Sequence, residues 1–229
     1  VTLAPTPLRF EGQLVLALSQ SGRSPDVVQT VTAARAGGAL TVAVVNAPQS
    51  PLADAAELVV AADAGPEHAV AATKSYVLTL LQVARLVAAW AGDAELARAL
   101  PALPTALAAG AAADWHPLVD ALDDATSLFV VGRGLAHATA REAALKLKET
   151  CLVHAEAVSG AEIMHGPKAL IDAAQPLLLC AGPDVPADVH RATAGELAAL
   201  TRRLHVLGAV DAGHGLHLPA PPAPAPVLQ

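Results

Sequence analysis

Residues 14–26, LVLALSQSGRSPD, decide how the rest of the chain is read. The apolar run Leu14–Leu18 has the length and composition of a strand buried on both faces. Ser19-Gln20-Ser21-Gly22-Arg23-Ser24-Pro25-Asp26 follows at once, and a helical pattern runs from Val27 to about Arg35. A strand, a hydroxyl-rich turn and a helix N-terminus together make an anion site, because unpaired backbone N–H groups and the positive end of the helix dipole point into the turn. Ser19, Gln20, Ser21 and Ser24 supply three hydroxyls and an amide that can wrap a phosphate, and Gly22 lets the backbone come close. A plainer reading makes Ser24 or Asp26 a helix cap and nothing more. Four hydrogen-bonding side chains in six residues exceed what a cap requires.

The 229 residues have room for one large α/β domain or two small ones. A hydrophobic share of 54% against 15% charged excludes a disordered chain. An aromatic share of 2% and a net charge of -7 argue against nucleic acid as a partner, since both stacking and phosphate-backbone contacts are poorly provided. Cys151 and Cys180 stand in apolar sequence without metal-like spacing and read as buried thiols in a reducing compartment. Arg85 and Asp93 interrupt the most apolar helical stretch, and residues 1–10 lack the basic start of a signal peptide. The expectation is a cytoplasmic protein with no membrane partner.

Strands at Leu40–Val45 and Leu58–Ala61 alternate with helical stretches, which predicts a parallel sheet with right-handed crossovers. Residues 63–76, DAGPEHAVAATKSY, form a loop leading into a helix that reaches about Ala91. A first lobe over 1–92, an alanine-rich helical connection over 93–122 and a second lobe over 123–229 follow from the composition. The second lobe opens with a strand at Leu128–Val131, the turn Gly132-Arg133-Gly134 and a helix from Ala136 to Glu149. Strands at Leu177–Gly182 and Leu204–Ala209 repeat the spacing of those starting at Leu14 and Thr41, as a duplicated strand–helix–strand unit would. Ala181-Gly182-Pro183-Asp184 then stands where the first copy has Ser-Gln-Ser-Gly, so only the first copy keeps a phosphate turn. The tail LPAPPAPAPVLQ reads as extended chain or linker.

The densest polar cluster is 146–167, KLKETCLVHAEAVSGAEIMHGP. Lys146 and Glu149 share a helix face. Glu149 precedes the apolar Cys151-Leu152-Val153, which places it where the helix enters the interior, a setting that suits a general base. His154, Glu156, Glu162 and His165 follow, with His165 on the sharp turn His165-Gly166-Pro167. No HExxH spacing or cysteine pair supports a metal. A phosphate anchor, a glutamate to move a proton between adjacent carbons, a histidine and a lysine fit aldose–ketose isomerisation of a phosphosugar.

SQSGRSPD at 19–26, EHAVAATKSY at 67–76 and GRGLAHATAREAALKLKETCLVHAEAVSGAEIMHGPKALID at 132–172 together resemble the double sugar-isomerase (SIS) family. Its nearest members in pattern are the isomerase half of glucosamine-6-phosphate synthase and the stand-alone amino-sugar-phosphate deaminases. The resemblance implies two SIS lobes, each a parallel sheet flanked by helices in a flavodoxin-like three-layer α/β/α arrangement, with the first lobe incomplete at its N-terminus. It implies that Ser19, Gln20, Ser21 and Ser24 bind the sugar phosphate and that Val70 contacts the sugar through its backbone. Glu149 is implied as the proton-transfer base with Lys146 beside it. His165 is implied to assist ring opening in a neighbouring subunit's site, hence a homodimer. No cofactor is implied. The family's first strand with its serine loop is expected before Val1, and its C-terminal lysine segment after Gln229. The Arg23-Ser24 variant favours a stand-alone isomerising deaminase of glucosamine 6-phosphate. The alternatives are the isomerase domain of a glutamine-dependent synthase and a phosphosugar-sensing module without turnover.

Overall fold

The computed structural model describes residues 9–208 and the strand 216–218. The reading of the first residues as lacking a signal peptide falls in large part, and that of the tail after Leu218 wholly, outside the described residues. The chain divides into two compact units, 1–98 and 99–229.

In the first unit β1 (Leu14–Ser19), α1 (Pro25–Ala36), β2 (Leu40–Val45), α2 (Pro51–Ala55), β3 (Leu58–Ala61) and α3 (Lys74–Ala91) follow one another. The strands form a parallel sheet in the order β1-β2-β3. Pro25 and Pro51 open their helices at a position where a missing N–H costs nothing. Gly37 ends α1, its N–H donating to the Ala33 carbonyl while the Gly38 N–H donates to that of Arg35. The central strand β2 is the one buried on both faces, with Val42 to Val45 between 0% and 7% exposed. β1 departs from expectation: Leu14 is 37% and Leu18 47% exposed. Among the described residues β1 pairs only with β2, and an edge strand leaves part of its surface uncovered. Ser19 pairs with Val45 and Val45 with Ala61, so the loops after all three strands leave from one edge of the sheet.

The second unit begins with short helices, α4 (Ala94–Ala99) reaching into it, α5 (Leu103–Ala111) and α6 (His116–Leu122). β4 (Ser127–Gly132), α7 (Ala136–Cys151), β5 (His154–Ser159), β6 (Leu177–Ala181), α8 (Ala187–Ala198), β7 (Leu204–Gly208) and β8 (Leu216–Leu218) complete it. The strands are parallel, in the order β5-β4-β6-β7-β8. On one face Ala136, Ala140 and Ala144 of α7 pack on Leu128, Val130 and Leu178. On the other, Ala194 and Leu197 of α8 join Phe129, Val131, Leu179 and Val206. The units β1-α1-β2 and β6-α8-β7 share one design, two parallel neighbouring strands joined by a helix.

Three sequence expectations change here. His154–Ser159, read as part of a polar cluster, is the edge strand β5, in which His154 and Glu156 are exposed while Ala155 and Val158 are buried in the cores on opposite faces of the sheet. Leu152, at the end of α7, is left-handed (φ 57°) and 89% exposed, so the helix ends in solvent and not in the interior. Cys151 beside it is exposed, and only Cys180 is buried. Among the described residues no single helix is long and apolar enough to cross a membrane.

Candidate functional site

The Ser19–Ser24 turn leaves the carboxyl end of β1, the edge where open parallel sheets bind ligands. Ser19 Oγ accepts from the Gly22 N–H at 3.0 Å, and Ser21 Oγ accepts from the Arg23 N–H at 3.3 Å. A hydroxyl that accepts in this way keeps its own O–H to donate elsewhere. Gly22 has φ +62°, and a Cβ on it would fall 2.1 Å from Ser50 Oγ. The close approach that glycine permits is therefore to Ser50, which underlies the turn, while the Leu52 N–H donates to the Gly22 carbonyl at 3.0 Å. Ser24 occupies the N-cap of α1 (φ −62°, ψ 117°), and its carbonyl accepts from Val28 N–H at 3.0 Å, but its hydroxyl makes no cap hydrogen bond. Gln20 and Ser24 are exposed, and Ser19 and Ser21 are partly buried.

The loop from Ala62 to Thr73 leaves from the same edge. Asn46, just past β2, donates from Nδ2 to the Gly65 carbonyl and accepts from the Ala64 N–H, both at 2.8 Å. Glu67 then reaches across to the start of α3. Its Oε1 accepts from Thr73 N–H at 3.1 Å and Lys74 N–H at 3.0 Å, and its Oε2 from Ser75 N–H at 2.8 Å and from the Ser75 hydroxyl. These bonds, the Ser75 hydroxyl first, lower the Glu67 pKa to about 2, against a smaller opposing effect of burial. Lys74 Nζ donates to the Pro66 carbonyl at 2.7 Å. Between these anchors Val70 is 93% exposed.

In the second unit the alanine stripe of α7 faces the sheet and turns Glu142, Lys146 and Glu149 to the opposite side, at i, i+4 and i+7. Lys146 Nζ lies 2.8 Å from Glu149 Oε2 and 3.4 Å from Glu142 Oε1, with the three side chains 21%, 29% and 22% exposed. The hydrogen bond to Glu149 is the main cause of a raised Lys146 pKa, with Glu142 adding to it and partial burial opposing. Glu149 thus owes its setting to a cation beside it, not to entry into the core. His165 is exposed at the end of a 3-10 turn, Ile163–His165, whose Ile163 is anchored in the core at 0% exposure. The structure therefore joins Lys146 to Glu149, and Ser19 to Ser21 and Ser24, each set within its own unit.

Sequence reading passed over Asp184. Its Oδ2 accepts from the Leu135 N–H at 2.7 Å, at the threshold of α7. A carboxylate of the protein thus takes a backbone N–H at the start of α7 in the second lobe, at a loop that stands where the first lobe has the Ser-Gln-Ser-Gly turn. His154 and Glu156 line a shallow groove of about 630 Å³ with Lys148, Leu170 and Gln175, at the amino ends of β4 and β5. Among the described residues no group of three or more His, Cys, Asp or Glu is placed to hold a metal ion.

Comparison with known proteins agrees with this architecture. The SIS domain family model matches residues 4–89 and 121–204. A glutamine--fructose-6-phosphate aminotransferase [isomerizing] of Zymomonas mobilis is 37% identical over 186 residues, which are 76% of this chain and 31% of that protein. The chain thus spans about a third of the length of the curated relatives it matches. A crystal structure from Silicibacter pomeroyi, provisionally assigned as a phosphosugar isomerase, superposes with a TM-score of 0.84 at 38% identity, covering 97% of this chain and 69% of that one. The C-terminal domain of glucosamine-fructose-6-phosphate aminotransferase from Francisella tularensis gives 0.78 at 25% identity, covering 95% and 68%. With two matched segments, two parallel-sheet units and a solved structure that superposes on 97% of it, the chain belongs to the SIS domain family and is homologous to the isomerase domain of that aminotransferase.

Proposed function

We propose that the chain catalyses aldose–ketose isomerisation of a hexose 6-phosphate, as the isomerase part of an enzyme that makes an amino-sugar phosphate. The observation that carries this reading is the Ser19–Ser24 turn. Its Ser24 hydroxyl is not spent on the helix, and its Ser19 and Ser21 hydroxyls are oriented by backbone N–H groups with their own protons left to donate. Phosphate oxygens accept from such donors, and the N-terminus of the 12-residue α1 adds favourable dipole. Gln20 donates from its amide. The Val70 backbone contacts the sugar.

Proton transfer falls to Glu149. A carboxylate takes the proton from one carbon beside the carbonyl and returns it to the neighbouring carbon through an enediol, so no external acid is consumed. Lys146, protonated at neutral pH, lies 2.8 Å from Glu149 and offers positive charge to the developing oxyanion. His165 assists ring opening in the site of a neighbouring subunit, in a homodimer. Aminotransferase names on both the curated relative and the Francisella domain favour this reading over the stand-alone deaminase that the Arg23-Ser24 variant suggested.

Supplying glucosamine 6-phosphate to the full-length protein without glutamine, and following ammonia and fructose 6-phosphate together, separates the readings. Interconversion of separately supplied fructose 6-phosphate with glucose 6-phosphate, and no ammonia from glucosamine 6-phosphate, is expected. Stoichiometric release of both products returns the assignment to a deaminase.

A further inference from the structure

The loop that carries Val70 is closed by a single side chain, and the sequence around it gives no other reason for a glutamate there. Asn46 fixes Ala64 and Gly65, and Lys74 fixes Pro66. From Glu67 to the start of α3, the side-chain hydrogen bonds among the described residues that hold the chain are those of the Glu67 carboxylate. Thr73 holds the N-cap position of α3 but contributes no side-chain cap. Glu67 satisfies three backbone N–H groups that α3 would otherwise leave unpaired, together with the hydroxyl of Ser75, which is 2% exposed. The segment 68–72 is thus a short strap whose two ends meet at one carboxylate. Ala71 is buried at 8%, and its neighbour Val70 is turned out at 93% exposure.

We infer that Glu67 is a positioning residue for the sugar: by clamping the strap 68–72 to the N-terminus of α3 it sets the Val70 backbone where the sugar meets it, without touching the ligand. This rests on the proposed contact between the Val70 backbone and the sugar. Both carboxylate oxygens are occupied, two donors on each, so an isosteric amide is the discriminating change. Glutamine places an NH₂ against N–H donors and opens one side of the clamp while keeping the size of the side chain. The same hydrogen bonds, the Ser75 hydroxyl first, lower the Glu67 pKa to about 2, which keeps the carboxylate ionised at neutral pH.

The test compares fructose 6-phosphate with inorganic phosphate as calorimetric ligands of the full-length protein, wild type against Glu67→Gln and Ser75→Ala. Inorganic phosphate samples the Ser19–Ser24 turn alone. Glu67→Gln is expected to weaken fructose 6-phosphate by about tenfold and inorganic phosphate by less than about twofold, with Ser75→Ala showing a smaller loss of the same selectivity. Amide hydrogen exchange over 68–75 is expected to accelerate in Glu67→Gln. Equal losses for both ligands, or no loss for either, overturn the positioning role, and so does unchanged exchange. A wild-type protein that binds fructose 6-phosphate no better than inorganic phosphate instead refutes the sugar contact. In that case the exchange measurement alone decides whether Glu67 clamps the strap.

Discussion

Ser24 and Ser50 each stand immediately before the proline that opens a helix, and only Ser50 uses its hydroxyl as a cap. Ser50 is 2% exposed, accepts from Ala53 N–H at a long 3.5 Å and packs under Gly22. Ser24 is exposed and its hydroxyl is uncommitted to α1. The same two-letter signal thus does different work at the two positions. Ser50→Ala is expected to lower stability by about 0.5–2 kcal/mol, as loss of a cap does. Ser24→Ala is expected to leave the urea midpoint in place and weaken phosphosugar binding, and Ser21→Ala to weaken it by about 1–3 kcal/mol. Unaltered affinity in both serine variants returns the turn to a structural role.

Subunit exchange tests the assignment of His165 to a neighbour's site. Glu149→Gln and His165→Asn proteins are each expected to be inactive. In a mixed dimer one site combines both defects, and the other receives native Glu149 and native His165. Random mixing then restores about a quarter of wild-type activity. Mixtures that stay inactive place Glu149 and His165 in the service of the same subunit or remove one of them from the mechanism.

His205 carries an acid liability into the second unit. It is 7% exposed in β7, neither ring nitrogen finds a hydrogen-bond partner among the described residues, and burial, aided by the charge of Arg203, lowers its pKa from 6.5. The unfolded chain therefore binds a proton at His205 more readily than the folded one. This contribution to stability is present above pH 6.5 and declines as the pH falls below it. His205→Leu is expected to raise stability by about 1–3 kcal/mol and to flatten the acid side of the urea-unfolding profile. A variant with the same decline as wild type shows that His205 does not titrate there.

The two thiols differ in the same physical way. Burial pushes the Cys180 thiol up to about 11, whereas Cys151 is exposed at the end of α7. A thiol reagent is expected to modify one cysteine per native chain and both after unfolding, with Cys151→Ser removing the native reaction. Native modification of Cys180 contradicts the packing described for β6.

Much of the fold was legible because buried parallel strands are written as uninterrupted apolar runs. The buried β2 and the more exposed but equally apolar β3 lie where such runs stand, and β6 and β7 differ from theirs by one residue. β5 was not legible because the edge strand HAEAVS buries only Ala155 and Val158 and leaves histidine and glutamate exposed at its start, where they mimic a catalytic cluster. The same ambiguity misplaced Glu149, since Cys151-Leu152-Val153 looks like an approach to the core until the left-handed Leu152 is seen to end the helix in solvent. The serine turn was visible as a sequence, but the division of labour between Ser24 and Ser50 depends on Gly22 lying against Ser50, a contact 28 residues away in the chain. Asp184 and Glu67 were beyond reach for the same reason, because each acts on backbone amides of a different element or turn.

The most direct test of the account follows hydrogen exchange between fructose 6-phosphate and D₂O, by NMR of the carbons beside the carbonyl, in wild-type full-length protein and in Glu149→Gln. The account predicts deuterium entering the sugar with wild type, none with Glu149→Gln, and binding of the sugar phosphate retained by both. Exchange that continues undiminished in Glu149→Gln, or wild-type protein that binds the sugar phosphate without any exchange, contradicts the assignment of Glu149 as the base of a phosphosugar isomerase.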